Sequence, residues 1–218
     1  MTRNPESKDA PWRFRHDLKG VLFDFDGTLT RPGTLDFPAI KRALGCPPER
    51  PILEYIGQHP PGQRASLVAV LDKHEMQAAA CARPNGGAES CLRTLKEGGV
   101  LVGILTRNSL QSVRKSFQAF QTTTPLDFAT IVTREDAAPK PHPEGVWIAA
   151  RAMHIPPERL VVIGDYRFDI IAGKRAGAKT ILLTNGKDST MADGDPAPDH
   201  VCASFEEVLE VLSAEPLI

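Results

Sequence analysis

The chain has 218 residues, 41% hydrophobic and 24% charged, a balance that excludes disordered, collagen-like and coiled-coil classes. Such a length accommodates one packed core domain with a modest insertion. Twenty-six basic and twenty-seven acidic residues give a formal net charge of -1, with no global field to draw nucleic acid or a membrane surface.

In chain order, residues 1–17 come first. They mix Arg3, Lys8, Arg13 and Arg15 with Glu6, Asp9 and Asp17 instead of an apolar signal core, and predict a polar N-terminal extension. The run from Gly20 to Phe25 predicts a first strand. Residues 31–84 then show helical but no strand periodicity. Helices are expected over 37–44 and 63–83, separated by a stretch containing Pro47, Pro48, Pro51, Pro60 and Pro61, so this segment predicts a small all-helical insertion. A helix over 88–97 stops at Gly98-Gly99.

Strands at 100–105, 128–132, 160–163 and 180–183 alternate with helices at 109–120, 145–153 and 170–176, and a last short strand at 199–203 precedes a helix. The strands are continuously apolar, without polar alternation, as strands buried on both faces of a parallel sheet are. The order predicts a doubly wound, Rossmann-like α/β core over 18–30 and 85–218. Cys46, Cys81, Cys91 and Cys202 are scattered without a C-x-x-C pair, which points to reduced thiols and a cytoplasmic location. No apolar run approaches the ~20 residues of a membrane span.

Ligands of open α/β sheets bind beyond the carboxyl ends of the strands. Those ends carry Asp24-Phe25-Asp26-Gly27-Thr28, Thr106-Arg107-Asn108, Pro139-Lys140-Pro141 and Gly164-Asp165 with Asp169. Asp24 and Asp26 stand two residues apart, a spacing that turns both side chains to one side of extended backbone. Any one such aspartate taken alone is better explained by a cap or a turn. Together, the four carboxylates of Asp24, Asp26, Asp165 and Asp169 against the single charge of Lys140 leave a deficit of positive charge. Oxygen ligands without His or Cys suit a hard cation such as Mg2+. Thr106, Asn108 and backbone N–H groups supply donors for an oxyanion, and Lys140, between two prolines, supplies an ammonium.

The ordered set Asp24-Phe25-Asp26-Gly27-Thr28-Leu29-Thr30, Ile104-Leu105-Thr106-Arg107-Asn108, Lys140-Pro141-His142-Pro143-Glu144 and Gly164-Asp165 with Asp169 resembles the haloacid dehalogenase-like superfamily over roughly residues 19–213. The resemblance implies a phosphatase acting on a small-molecule phosphate ester, with Asp24 as nucleophile and Asp26 as general acid and base. It implies Mg2+ held by the side chains of Asp24 and Asp165 and the carbonyl of Asp26, with Thr106 and Lys140 on the phosphoryl oxygens and Asp169 orienting Lys140 or a metal-bound water. Eighty residues separate Asp26 from Thr106 but only thirty-four separate Thr106 from Lys140. The insertion therefore resembles a cap of the phosphoglycolate phosphatase and β-phosphoglucomutase type, in reduced form, which implies a small substrate or one whose bulk protrudes.

Arg107 can add charge near the phosphate or lie on the surface. Tyr166 and His142 depart from the family's usual residues beside Asp165 and Pro143 and are placed outside the chemistry. Asp26 argues against carbon–halogen cleavage, and Lys41 and Lys73, formal candidates for a phosphonate hydrolase's Schiff base, suit exposed helix positions better. A phosphomutase and a catalytically silent binding protein of the same fold are the alternatives. The expected partners are a small molecule and no nucleic acid or membrane, in a monomer or homodimer.

Overall fold

The computed structural model describes residues 17–213. The expected extension therefore lies outside the described residues except for Asp17. Six parallel strands, β1 (Gly20–Phe23), β2 (Leu101–Leu105), β3 (Thr130–Val132), β4 (Leu160–Gly164), β5 (Lys179–Leu183) and β6 (His200–Cys202), form one sheet in the order β3-β2-β1-β4-β5-β6. The doubly wound α/β core expected from the apolar runs is thus present. All four residues of β1 and all five of β4 are buried, which is why their sequences lack alternation.

Alternate side chains feed two layers. Phe23, Ile104 and Ile163 pack with α4 (Ala88–Glu97), α5 (Leu110–Ser116) and α8 (Phe205–Ser213) on one face. Leu22, Leu105 and Val162 pack with α6 (Glu144–Ala152) and α7 (Arg167–Ala176) on the other. Local chemistry sets the helix ends. Ser109 caps α5 by accepting a 3.2 Å hydrogen bond from the Ser112 N–H, and Gly177, at φ 88°, closes α7.

Between β1 and α4 lie three helices, α1 (Phe37–Leu44), α2 (Ile52–Gly57) and α3 (Pro61–Cys81). Ile40, Leu44, Ile52, Ile56 and Leu71 form a separate small core there. The short α2 falls in the proline-rich stretch from which no helix was expected. Among the boundaries that differ from expectation, two lie near the sheet's carboxyl edge. The first strand ends at Phe23, because Phe25–Leu29 closes into a tight turn in which Gly27 takes φ 84°. Helix α5 stops at Ser116 and passes into a 3-10 turn, Phe117–Ala119, whose Phe117 ring packs 5.4 Å from that of Phe25. No described helix is long and apolar enough to cross a membrane.

Candidate active site

The strand order reverses direction around β1, with β2 on one side and β4 on the other. A crevice is expected beyond the carboxyl ends at such a switch point. A cleft of about 620 Å³ lies there, lined by Asp24, Asp26, Thr106, Lys140, Asp165 and Asp169 among others. All eight sequence-predicted site residues line it, Arg107 and Asn108 included.

Asp24 continues β1 in extended conformation, its N–H still bonded to the Ile163 carbonyl at 2.8 Å. The next five residues turn away sharply. That turn is held by the Thr30 N–H on the Phe25 carbonyl at 2.9 Å, by Asn85 on the Thr28 carbonyl at 2.9 Å and by Asn185 on the Gly27 carbonyl at 2.8 Å. Asn85 also donates to Asn185 at 2.7 Å, so two asparagines a hundred residues apart brace one turn.

The aspartates divide into two environments. Carboxylate oxygens of Asp24, Asp165 and Asp169 lie within 4.8 Å of one another, a cluster that could hold a metal ion. Asp26 stands outside that cluster, with one carboxylate oxygen bonded by the Asn108 side-chain amide and the other by the Thr30 hydroxyl at 3.2 Å. Its expected contribution to a metal site, through the backbone carbonyl, does not require its carboxylate to be there.

Lys140 reaches in from the loop before α6, only 4% exposed, and donates to Asp24 and Asp169 at 2.5 Å each and to the Leu105 carbonyl at 2.8 Å. The other Asp169 oxygen accepts the Tyr166 N–H at 3.2 Å at the start of α7. Asp169 thereby ties the ammonium to a helix end.

Burial raises the Asp24 carboxyl well above the usual range, with the charges of Asp169 and Asp165 adding and that of Lys140 opposing. Asp165 is pushed up to about 7, first by burial and then by Asp169. Burial also raises Asp26, against the hydrogen bonds from Asn108 and Thr30. Lys140 titrates higher than an ordinary lysine, because the charges of Asp169 and Asp24 outweigh the burial that would lower it. Negative charge is therefore in excess, and the carboxylates of the buried Asp24 and Asp169 and the half-buried Asp165 offer hard oxygen ligands that could hold a metal ion.

This architecture matches known proteins. The family model described as haloacid dehalogenase-like hydrolase matches residues 31–183. The chain belongs to the haloacid dehalogenase-like hydrolases. An uncharacterised hydrolase of Saccharomyces cerevisiae is 32% identical over 77% of this chain and 78% of its own. The N-acetylmuramic acid 6-phosphate phosphatase of Pseudomonas aeruginosa is 30% identical over 79% and 84%. The crystal structure of a hydrolase from Pseudomonas syringae, 20% identical, superposes with a TM-score of 0.72 over 90% of this chain and all of that one.

Several side chains of this hydrolase sit where the sequence reading did not put them. Tyr166, placed outside the chemistry, lines the cleft and meets the Phe168 ring edge-on at 5.0 Å. His142 instead accepts the Glu144 N–H at 3.2 Å at the start of α6. Lys41, read as an exposed helix residue, lines the cleft and donates to the Pro48 carbonyl, whereas Lys73 is exposed. Arg107 is no free surface arginine, since its guanidinium pairs with both oxygens of Glu54, donates to the Lys140 carbonyl and lies 5.1 Å from the centre of the Phe168 ring. Of the insertion's polar residues, Tyr55, His59, Arg64 and His74 do not line the cleft, and Glu49 and Glu75 do.

Proposed function

We propose that this hydrolase is a Mg2+-dependent phosphatase that cleaves a small phosphate monoester through an aspartyl-phosphate on Asp24. The supporting observation is the division of labour between two neighbouring carboxylates: Asp24 belongs to the acidic cluster and Asp26 is held apart by Asn108 and Thr30. An Asp24 oxygen attacks phosphorus while the ester P–O bond breaks, and Asp26 gives its proton to the departing alkoxide. Burial raises Asp26, which favours its protonated form for that step. Asp26 then takes a proton from water, whose oxygen attacks the phosphorus, releasing inorganic phosphate and the free Asp24 carboxylate.

The side chains of Asp24 and Asp165 and the carbonyl of Asp26 would hold Mg2+, with Asp169 beside them. When bound, the cation neutralises the excess carboxylate charge and that of the phosphoryl oxygens. Thr106 and Asn108 would bind those oxygens together with Lys140, with Arg107 beside them held on Glu54, and positioning of this kind carries most of phosphoryl transfer. The insertion over 31–84 acts as the cap of this site, since Ile40, Lys41, Leu53 and Leu71 of its helices wall the cleft. The phosphatase name of the Pseudomonas aeruginosa relative points the same way.

The test is phosphate release from a panel of phosphate monoesters with Mg2+ and with EDTA. Turnover that needs the metal and vanishes in Asp24→Asn, with the fold intact by circular dichroism, is expected. Substantial activity in Asp24→Asn would overturn the covalent route.

A further inference from the structure

We infer that two acids of the helical insertion, Glu75 and Glu54, are positioning residues that set the geometry of Asp26 by gripping the loop after β2 on both sides of Asn108. The inference rests on the role of Asp26 as general acid proposed above.

Glu75 sits in the C-terminal half of α3 and is 3% exposed. One of its oxygens accepts three hydrogen bonds from the loop and the first turn of α5: the Ser109 N–H at 3.1 Å, the Ser109 hydroxyl at 3.1 Å and the Ser112 hydroxyl at 3.2 Å. Its other oxygen accepts from Arg134, whose guanidinium also pairs with Asp72 on the same helix. The backbone N–H of Arg134 in turn donates to the Asn108 carbonyl at 3.2 Å. On the other side of Asn108, Arg107 is held by both oxygens of Glu54 at 2.9 and 2.6 Å and passes a further hydrogen bond to the Lys140 carbonyl.

The four residues of the loop thus have distinct attachments. Thr106 accepts the Asn108 N–H at 3.2 Å, and the Asn108 amide holds the Asp26 carboxylate. Arg107 and Ser109, flanking Asn108, are fixed by acids that belong to the insertion. If the insertion undocked, Asn108 would lose the restraint on both neighbours, and a proton donor misplaced by a fraction of an ångström loses much of its effect. Glu75 cannot leave its seat without taking their acceptor from the buried Ser109 N–H and hydroxyl, so docking and the geometry of the loop change together. The insertion then does more than cover the cleft. It completes the orientation of the acid that protonates the leaving group, so protonation is efficient only while the insertion is seated.

The test uses 2,4-dinitrophenyl, p-nitrophenyl and phenyl phosphate, whose leaving groups need protonation to rising degrees. In the parent, kcat/KM should depend weakly on the leaving group. Glu75→Gln should lose roughly tenfold or more on phenyl phosphate, part of the ~10²–10⁴ that general acid catalysis supplies, while 2,4-dinitrophenyl phosphate falls far less. Glu54→Gln, at a pair more exposed than Glu75, should steepen the dependence in the same direction by a smaller factor, and it carries the test if Glu75→Gln does not fold. Equal losses on all three esters, or no change, in the folded variants would overturn the inference. Asp26→Asn separates the two levels: if it leaves the dependence unchanged, the assignment of Asp26 as the acid fails; if it steepens it while the glutamate variants do not, only the present inference fails.

Discussion

The stability of the metal-free protein should fall as pH rises through the neutral range, the reverse of ordinary acid denaturation. The reason lies in the acidic cluster. Asp165 titrates near 3.8 in an unfolded chain and is pushed up to about 7 in the fold, by burial and by the charge of Asp169. A carboxyl with a raised folded-state pKa binds its proton more tightly folded than unfolded, so between those two values the folded state carries more protons and stability declines with rising pH. At ~1.36 kcal/mol per pH unit, the full displacement is worth roughly 4 kcal/mol by the time Asp165 is ionised in both states. Asp24 and Asp26 are shifted in the same direction and add to the slope. Lys140, raised above an ordinary lysine, contributes its stabilisation throughout this window and loses it only at far higher pH. The assay is urea unfolding in EDTA at about pH 5 and about pH 8, repeated with saturating Mg2+, which stabilises by mass action if it binds the folded state. The EDTA-treated protein should be weaker at pH 8 by a few kcal/mol, Mg2+ should recover most of that difference, and Asp165→Asn should flatten the pH dependence. Equal stability at both pH values without metal, or a slope that Asp165→Asn leaves in place, would refute the electrostatic account.

Lys140→Met should destabilise the metal-free fold by about 3–5 kcal/mol in urea unfolding, because Asp24 and Asp169 would each lose a buried partner at 2.5 Å; pairing it with Asp169→Asn should recover part of the loss. Gly27→Ala should cost about 1–2 kcal/mol for its left-handed backbone at φ 84°. Its methyl would also press into the Asp165 carboxylate, so Mg2+ should no longer raise the thermal midpoint of that variant. Phe205→Ala, at a ring 2% exposed and 6.2 Å from that of Phe23, should cost about 3–5 kcal/mol and leave the KM of the folded enzyme unchanged, which steady-state kinetics on an aryl phosphate checks.

The core was legible because burial on both faces removes the ambiguity between strand and loop. The runs at Val21–Phe23 and Leu160–Ile163 have no polar residue to place outside, and a chain that alternates such runs with helices has few ways to close. The strand ends then located the cleft, since Asp24, Thr106 and Asp165 must fall on one edge once the sheet is parallel. What the spacing could not give was the partition among the acids. Asp24 and Asp26 look equivalent as letters, and only the turn at Phe25–Leu29, braced by Asn85 and Asn185, sends one carboxylate into the cluster and the other to Asn108. The insertion was harder still. Helix α2 has six residues beside prolines, too few for a period to show, and Lys41 and Tyr55 could not be told apart as cleft and non-cleft residues without knowing how α1 and α2 lean.

Glu75 is the instructive case, since only the fold shows which face of α3 is buried. The buried positions of α3 are Leu71, Glu75 and Ala79, one stripe at a spacing of four with an acid at its centre. A carboxylate in such a place is tolerated only if another element brings donors to it. The stripe therefore requires a polar partner across the helix interface. Ser109 and Ser112, spaced by three at the start of α5, present hydroxyls on one side of that helix and fit the requirement. Neither stripe names the other from the sequence alone, because many serines begin helices and many glutamates lie on them. Once the fold packs α3 on α5, the two requirements meet at a single oxygen, one residue from the asparagine that holds Asp26, and a packing detail of the insertion becomes part of the catalytic geometry.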